Sequence, residues 1–301
     1  MKNINIYNFV RSFLFVFVLA ILSVNIYAQA SNCAKTDYDC KITEYTKLIV
    51  SNSKDIESYY NRGTAYYNKG SFDLGIADFT RYITGNPTNS EYLSDGYNYR
   101  GLCYKAKTNY IQAIDDFTKA IQSNPQNKLA YFNRANVYRE QSKYDISITE
   151  YGKAIKIDPN FSSAYMNLGL SYISKKDPDS AIIQFNKVLQ IDSNEPEGYY
   201  NRAIAYDDKR EYEKSVADYT KYISLSPAIP QHLADGYYNR GIANYYLGNS
   251  EQAVKDYTKA IEIEPNRINA FKNRAFTYRQ MKKIALAEID EQRVAELSKQ
   301  P

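Results

Sequence analysis

Small, aromatic and polar residues recur along the chain in a fixed register. The most regular position is a glycine or alanine that follows an aromatic residue and, in most copies, an asparagine and an arginine, as in "YYNRG" (59–63). Successive copies lie 38, 34, 34, 34, 38 and 34 residues apart. Because 34 residues is the length of a helix–turn–helix repeat, the spacing predicts seven pairs of helices, A and then B. These small residues, here called the markers, are Gly63, Gly101, Ala135, Gly169, Ala203, Gly241 and Ala275.

Helix B of each pair is predicted by positions that follow the marker. A second small residue comes at a constant distance, and in the first six units an aromatic residue follows it by one helical turn, as Gly75 and Phe79 follow Gly63. In five units a proline further on ends the pattern, because proline lacks the N–H that a helix needs and its ring clashes with the preceding turn. The aromatic residues are Phe79, Phe117, Tyr151, Phe185, Tyr219 and Tyr257, and the prolines are Pro87, Pro125, Pro159, Pro227 and Pro265.

This set of positions resembles the tetratricopeptide repeat family over residues 56–299. The resemblance implies an all-α fold, a right-handed α-solenoid of about seven tetratricopeptide helix–turn–helix repeats. Residues 31–55 are expected to form a lead-in and a lone helix B, an N-terminal half repeat, because "TEYTKLI" aligns with "ADFTRYI". The last helix, near 283–299, has Glu291 in place of the aromatic residue and charge at its outer positions, which predicts a C-terminal capping helix.

The two 38-residue spacings each add about one helical turn. They precede "YLSDGYNYRG" (92–101) and "HLADGYYNRG" (232–241), and each follows a helix B with a tyrosine, Tyr82 or Tyr222, where other units carry alanine or valine. We expect a lengthened next helix A to cover the tyrosine. The two features are separated by four repeats, which is the pattern of a duplicated four-repeat block.

The aromatic residue that opens each string falls on the inward stripe of helix A, which predicts core packing. The arginine that follows has an acid at a constant position of helix B in six units, whereas the fourth unit has Leu168 and Gln184 instead. Because a buried guanidinium without a partner is costly, we interpret each arginine and acid as a structural pair rather than as part of a ligand-binding row. The pairs are Arg62 with Asp78, Arg100 with Asp116, Arg134 with Glu150, Arg202 with Asp218, Arg240 with Asp256, and Arg274 with Asp290.

The asparagine of each string is the candidate for contact with a partner. The resemblance implies that this position lines the concave groove, and in the O-linked N-acetylglucosamine transferase repeats a similar ladder holds an extended peptide. An amide offers both a donor and an acceptor. The alternative is that asparagine stands there as a common residue of the family, whatever its members bind. The candidate peptide-binding residues are Asn61, Asn133, Asn167, Asn201, Asn239, Asn273, Tyr200, Tyr238, Tyr245 and Arg279, with Tyr99 replacing the asparagine in the second unit.

Residues 1–30 have the pattern of a signal peptide. Lys2 and Arg11 precede the apolar run "FLFVFVLAILSV" (13–24), and "AQA" (28–30) supplies small residues for cleavage. A membrane anchor is the alternative, but the run is short of the roughly 20 apolar residues that span a bilayer. Lipidation at Cys33 is disfavoured because Asn32 precedes it. The chain is thus expected to be exported, as a periplasmic or secreted protein that can associate with the envelope.

Export bears on the three cysteines, because disulfides persist outside the cytoplasm. On one helix Cys33 and Cys40 would lie about 10.5 Å apart, too far for a disulfide. Their bond therefore requires a non-helical lead-in folded back on the first helix, and the sequence leaves both states open. Cys103 falls at a small or apolar position of its repeat, which predicts a buried free thiol.

Composition excludes several function classes. Removal of residues 1–30 leaves 36 basic against 34 acidic residues, so nothing indicates nucleic-acid binding, and no integral membrane segment remains. His232 is the only histidine, and no motif for a metal, phosphate or cofactor site is present. The sequence therefore predicts a non-enzymatic scaffold that binds a peptide or a segment of a partner protein in the groove. The alternative is a structural component of an envelope assembly, joined through the solenoid ends or the convex face.

Acidic residues near the start of several A helices bear on the kind of peptide. The groove-facing position near the start of helix A carries an acid in four units. A lysine there would suit the carboxylate-clamp mode used by some members of the family, whereas an acid repels a carboxylate tail. The sequence therefore disfavours recognition of a C-terminal carboxylate. The four residues are Glu57, Asp95, Glu197 and Asp235.

Overall fold

The computed structural model describes residues 33–225 and 229–299, which contain fifteen α-helices and no strand. The predicted signal peptide lies outside the described residues. The helices are α1 (Tyr38–Ser51), α2 (Ile56–Lys69), α3 (Phe72–Thr84), α4 (Ser90–Ala106), α5 (Tyr110–Ser123), α6 (Lys128–Glu140), α7 (Tyr144–Ile157), α8 (Ser162–Ser174), α9 (Pro178–Ile191), α10 (Pro196–Asp208), α11 (Tyr212–Ser224), α12 (Pro230–Tyr246), α13 (Ser250–Ile263), α14 (Ile268–Gln280) and α15 (Ile284–Leu297).

The helices form a lone helix B, α1, followed by seven A/B pairs from α2/α3 to α14/α15. The chain divides into two compact units, the first ending at Ile157 and the second beginning at Asp158. Within each unit every helix contacts the next one along the chain, and several A helices also contact the A helix of the neighbouring pair. The predicted all-α solenoid of tetratricopeptide-type repeats, with a half repeat before it, is confirmed.

The turn from helix A to helix B has the same backbone conformation in all seven pairs. One residue of each turn, at a constant position after the marker, has a positive φ, and only Gly70 and Gly248 are glycines there. At the other five turns a non-glycine residue adopts φ values of 58–59°, which is unfavourable for side chains with a Cβ. Backbone hydrogen bonds that close the end of helix A offset this cost, such as the one from Asn109 N–H to the carbonyl oxygen of Tyr104 at 2.8 Å.

The marker lets helix B approach the backbone of helix A. A Cβ added to Gly101 would lie 2.7 Å from the Phe117 ring, and one added to Gly169 would lie 2.5 Å from the Phe185 ring. These rings, like the other four at this position, are at most 2% exposed. The core of each of the first six pairs is therefore a small residue on helix A against an aromatic residue on helix B.

The first aromatic residue of each string differs from the prediction of core packing. Tyr59 and its five tyrosine counterparts are half-buried, and only Phe271 is buried. Each ring lies beside the arginine three residues later, with the guanidinium carbon 5.5–5.8 Å from the ring centroid in the six pairs that carry the arginine. The five tyrosines beside an arginine therefore cover the guanidinium groups rather than fill the core, whereas Phe271 is buried as predicted.

The lengthened A helices cover the bulky tyrosines, as expected. Helices α4 and α12 each have 17 residues, against 13 or 14 in the other A helices. Tyr82 is 1% exposed and Tyr222 is 3% exposed. Gly96 and Gly236, on the lengthened helices, leave room for the two rings, since an added Cβ would lie 2.7 and 2.8 Å from them.

The lead-in before α1 is not helical, and a disulfide joins Cys33 to Cys40 with the two Cα atoms 5.9 Å apart. The side chain of Asp37 caps α1 by accepting a hydrogen bond from the Cys40 N–H at 2.9 Å. Of the two states that the sequence left open, the structure has the bonded one. Cys103 is a buried free thiol, as predicted, and burial raises its pKa to about 12.

The capping helix α15 has a mixed outer surface. Glu288 and Glu291 are exposed, in line with the predicted polar cap. The exposed fraction is 45% for Ile284, 44% for Leu286 and 63% for Ile289. The charge pattern of the sequence did not indicate these apolar positions.

Candidate functional site

The six arginine–acid pairs predicted from the sequence are all present. In five of them the guanidinium Nε and Nη2 donate to both carboxylate oxygens of an aspartate at 2.7–3.0 Å. Arg134 donates twice to one oxygen of Glu150, at 2.9 and 2.5 Å. The acid side chains are only 2–9% exposed, so each pair bridges helices A and B inside its repeat.

Each arginine also reaches the helix B of the preceding repeat, which the sequence analysis missed. The Nη1 atom donates to a threonine hydroxyl at 2.9–3.1 Å in five repeats and to the Asn186 amide oxygen at 2.6 Å in the other. The signal was visible in the sequence, because these acceptors recur directly after the aromatic residue of helix B, and Gly152 stands at this position ahead of Leu168. The arginines therefore hold neighbouring repeats together and are not free to bind a ligand.

The six asparagines of the candidate site, here called the asparagine row, are half-buried on their A helices. In the second unit the row is uninterrupted, with one asparagine on each of the four A helices. In the first unit Tyr99 takes the place of the asparagine on α4, between Asn61 on α2 and Asn133 on α6. The four members in the second unit are Asn167, Asn201, Asn239 and Asn273.

Hydrogen bonds connect the row to tyrosines of the preceding repeat. Asn239 Nδ2 donates to the Tyr200 hydroxyl at 3.0 Å, and Asn273 Nδ2 donates to the Tyr238 hydroxyl at 3.1 Å. The structure thus brings four of the candidate residues together in two pairs. One hydrogen of each amide is used inside the protein, which fixes the orientation of the group.

Two further amides of the row have other partners. Asn133 donates to Asn98 of the preceding repeat at 2.9 Å, and Asn98 is buried although the repeat pattern did not indicate it. Asn201 Nδ2 donates to its own helix at the Glu197 carbonyl, 2.8 Å away, and lies 3.5 Å from the Met166 sulfur.

Arg279, a candidate for selectivity, forms an ion pair on the surface of the last pair of helices. Its guanidinium makes two hydrogen bonds to the Glu291 carboxylate, at 2.7 and 2.6 Å, on the exposed surface of the last pair. Glu291 occupies the position that a buried aromatic residue has in the first six repeats, but its own side chain is exposed. Tyr245, by contrast, is half-buried and meets the exposed Phe276 ring edge-on at 5.6 Å.

The acids near the start of the A helices have distinct environments. Burial, and then the Glu91 carboxylate, raise the pKa of Asp95 above its ordinary value. Asp235 accepts a hydrogen bond from Arg267 at 2.6 Å, and the same guanidinium lies 4.5 Å from the Tyr238 ring centroid. A hydrogen bond to Glu197, with burial, raises the pKa of Glu195 to about 7.

Neither of the two 17-residue helices, nor any other helix in the described part of the chain, is long and apolar enough to cross a membrane.

Models of the tetratricopeptide repeat match most of the chain. They cover residues 56–89, 94–127, 117–149, 135–176, 162–195, 196–229 and 234–267. The repeats that they cover are the first six pairs of helices. A comparison of the sequence with curated proteins finds no match.

Solved structures of tetratricopeptide repeat (TPR) proteins have the same fold. The C-terminal part of a TPR repeat-containing protein from Cytophaga hutchinsonii is 20% identical, with 83% of this chain and 98% of that chain covered and a TM-score of 0.68. A tetratricopeptide repeat protein from Parabacteroides merdae is 18% identical, with 80% and 93% covered and a TM-score of 0.59. YrrB, a TPR protein, is 20% identical, with 64% and 95% covered and a TM-score of 0.55.

The repeat models span the chain from the first helix pair to the sixth, and the structure continues the same pattern through the seventh. Such repeats are scaffolds for protein–protein interaction. The chain belongs to the tetratricopeptide repeat family.

Proposed function

We propose that the protein is a non-enzymatic scaffold that holds an extended peptide segment of a partner protein on the asparagine row of its second unit. The observation that carries this proposal is the unbroken row Asn167, Asn201, Asn239 and Asn273 on the four A helices of that unit. The arginines beside it are bound to their acid partners, whereas an asparagine amide has both a donor and an acceptor to offer to a peptide backbone.

The hydrogen bonds of the row support a particular kind of contact. Because Asn239 and Asn273 each donate one amide hydrogen to a tyrosine, the carbonyl oxygen and the second hydrogen remain for a peptide backbone. Backbone N–H and C=O groups are common to all sequences, so the row would supply affinity and register. Neighbouring side chains would supply selectivity. YrrB, a structural neighbour, is a TPR protein with an unusual peptide-binding site, which is a precedent for peptide binding in this fold.

The experiment starts from a random-peptide display library selected against the full chain. A selected peptide is then titrated by calorimetry against the triple variant Asn201→Ala, Asn239→Ala and Asn273→Ala. Each lost amide contact costs about 0.5–1.5 kcal/mol, so the triple variant should bind roughly 10- to 2,000-fold more weakly. Helix content by circular dichroism should be unchanged.

Two controls separate binding from stability. The matched triple variant Asn160→Ala, Asn194→Ala and Asn266→Ala removes exposed asparagines from inter-repeat turns of the same unit and should bind normally. Tyr238→Phe removes the hydrogen bond to Asn273 but leaves the amide in place, so it should lower affinity far less than Asn273→Ala. Unchanged affinity in the asparagine triple variant would refute the proposal.

A second candidate is a structural role in an envelope assembly, joined end to end. The exposed Ile284, Leu286 and Ile289 on α15 favour it, because an apolar patch at the end of a repeat stack can bury against another protein. This role predicts normal binding by the asparagine variants, and loss of assembly when Ile289→Asp is introduced. Sedimentation of the wild type and of Ile289→Asp distinguishes the two roles.

We also propose that the protein works outside the cytoplasm after removal of residues 1–30. The apolar segment followed by "AQA" supports export, as does the disulfide between Cys33 and Cys40. N-terminal sequencing of protein from an envelope or secreted fraction should then give a start near Ser31, or at Gln29 if cleavage follows Ala28. Recovery of Met1 from that fraction would contradict export by a cleaved signal.

A further inference from the structure

A pocket of about 150 Å³ opens between the last two A helices, at the end of the asparagine row. Ile242, Tyr245 and Tyr246 of α12 form one side, and Asn273 and Phe276 of α14 form the other, with Tyr257 below. A cavity of about 150 Å³ is large enough for a benzene-sized group.

The rim of the pocket exposes aromatic surface. Tyr246 is 61% exposed and Phe276 is 52% exposed. Tyr245 meets the Phe276 ring edge-on at 5.6 Å and the Tyr246 ring at 5.7 Å, while Tyr246 stacks on Tyr212 at 4.9 Å. These contacts brace the rings, so a side chain that enters the pocket meets walls that are already ordered.

Polar and charged groups in and near the walls have partners within the protein. The Asn273 side chain donates to the Tyr238 hydroxyl, and the Thr277 hydroxyl donates to the backbone carbonyl oxygen of Asn273 at 2.7 Å. On the same helix, Arg279 is ion-paired with Glu291, so neither charge needs a partner from outside. The size of the pocket, its aromatic walls and the pairing of the nearby charges favour an uncharged group with an apolar side chain.

We propose that this pocket binds a phenylalanine or leucine side chain of the peptide that lies on the asparagine row. The inference rests on the proposed function, because Asn273 belongs both to the row and to the pocket wall. It adds the selectivity that backbone contacts lack: the apolar anchor of the peptide lies at the α12/α14 end of the row. The two adjacent tyrosines of the pocket are particular to α12. At the same positions α10 carries Asp207 and Asp208 instead of Tyr245 and Tyr246.

The pocket can be tested without the natural partner. The probes are N-acetyl-phenylalaninamide, N-acetyl-leucinamide and, as the negative control, N-acetyl-alaninamide, titrated into the full chain with methyl-labelled isoleucine. The Ile242 methyl signals should shift in a saturable way with the first two probes and not with the third. Absence of a shift, or equal shifts with all three probes, would overturn the proposal.

Variants of the rim identify the site. Phe276→Ala should weaken binding of N-acetyl-phenylalaninamide by about tenfold or more, because it removes an aromatic wall. Phe276→Leu keeps an apolar wall and should bind within roughly threefold of the wild type. Leu286→Ala removes an exposed apolar side chain on α15, outside the pocket, and should have no effect. Equal binding by Phe276→Ala and the wild type would refute the pocket.

The pocket and the row can fail separately. If display-selected peptides lose affinity in the asparagine triple variant but not in Phe276→Ala, the row is the binding surface and the pocket is refuted. If the amino-acid amides bind at Ile242 while the triple variant binds selected peptides normally, the pocket is upheld and the proposed function is refuted.

Discussion

Helices α4 and α12 are the two lengthened A helices of the molecule, and they meet the same packing requirement in two different surroundings. Each covers a buried tyrosine of the preceding helix B, Tyr82 or Tyr222, and each has a glycine where the ring meets the helix. The tyrosine and the extra turn occur together in both places. A bulky side chain between repeats is therefore accommodated by a longer neighbour rather than by a shift of the stack.

The outer residues of the two helices differ. On α4, Tyr99 stacks on the Phe79 ring at 5.6 Å and meets the Tyr60 ring edge-on at 5.7 Å, which closes this part of the surface with aromatic rings. On α12, the equivalent residue is Asn239, which donates to the Tyr200 hydroxyl. One residue thus decides whether the same framework presents an aromatic or a polar surface.

The hydrogen bonding of the buried tyrosine's hydroxyl also differs between the two places. Tyr222 donates to the His232 carbonyl in the added turn of α12, at 3.1 Å. Within the described residues Tyr82 has no such hydrogen bond, and burial is the largest cause that raises the pKa of both phenols.

The largest expected effect on stability comes from removing the two buried tyrosine rings. Tyr82→Ala and Tyr222→Ala should each lower the free energy of unfolding by about 3–5 kcal/mol, because a buried ring is lost and the lengthened helix leaves a cavity. Urea unfolding followed by circular dichroism measures the loss. Tyr222→Phe should cost about 0.5–1.5 kcal/mol for its hydrogen bond, and Tyr82→Phe less. Equal losses for the two phenylalanine variants would contradict the difference between the regions.

The arginine pairs of the two helices should respond unequally to the same change. Arg100→Leu leaves Asp116 buried and unpaired, which should cost about 3–5 kcal/mol. Arg240→Leu should cost less, because Asp256 keeps hydrogen bonds from Asn244 and Gln252 at 3.1 Å each. The free energies of unfolding of the two variants test this order, and the reverse order would show that the amides do not compensate.

Replacing both members of one arginine–acid pair tests whether the pair acts as a unit. Arg134→Leu with Glu150→Gln reproduces the Leu168 and Gln184 of the fourth repeat and should be more stable than Arg134→Leu alone. The coupling energy from a double-mutant cycle should be about 1–3 kcal/mol. The coupling energy should lie towards the lower end of this range, because Lys153 also forms an ion pair with Glu150, at 2.7 Å. Additive unfolding energies would show that the two side chains do not interact.

A smaller effect should distinguish the two carboxylates at the start of these helices. The pKa of Asp95 is higher in the folded than in the unfolded state. Between the two pKa values the folded state therefore binds more protons, and the free energy of unfolding falls as the pH rises through that interval. Asp95→Asn should therefore stabilise the protein at pH 7 and not at pH 3. Asp235→Asn should instead cost about 0.2–1 kcal/mol at pH 7 through the Arg267 ion pair, less at high salt. Thermal unfolding at the two pH values measures both, and a gain for Asp235→Asn would contradict the assignment.

Much of this framework could be predicted from the sequence, because the repeat provides seven observations of each position. The arginine and acid pairs were predictable because both members change together in the fourth repeat. The tyrosine with its lengthened helix was predictable because the two features coincide twice. A pattern of this kind reports which residues depend on one another.

The asparagine–tyrosine hydrogen bonds, the Asn98 contact and the pocket beside Phe276 could not be predicted in this way. They depend on which residues of adjacent A helices meet, and these residues differ from repeat to repeat. The ion pair between Arg279 and Glu291 was not predictable either, because a glutamate stands at this position of helix B only in the last repeat. Features that occur once require the three-dimensional arrangement.

The most direct test of the account is to give α12 the surface of α4. Asn239→Tyr places an aromatic ring where Tyr99 stands in the first unit, beside Tyr200 and Tyr219 in place of Tyr60 and Phe79. The measurement is calorimetric titration of a display-selected peptide against this variant and against Tyr99→Asn. The account predicts that Asn239→Tyr remains folded but binds at least about tenfold more weakly, the equivalent of roughly 1.4 kcal/mol, whereas Tyr99→Asn binds like the wild type. Full affinity in Asn239→Tyr would show that the asparagine row of the second unit is not the binding surface.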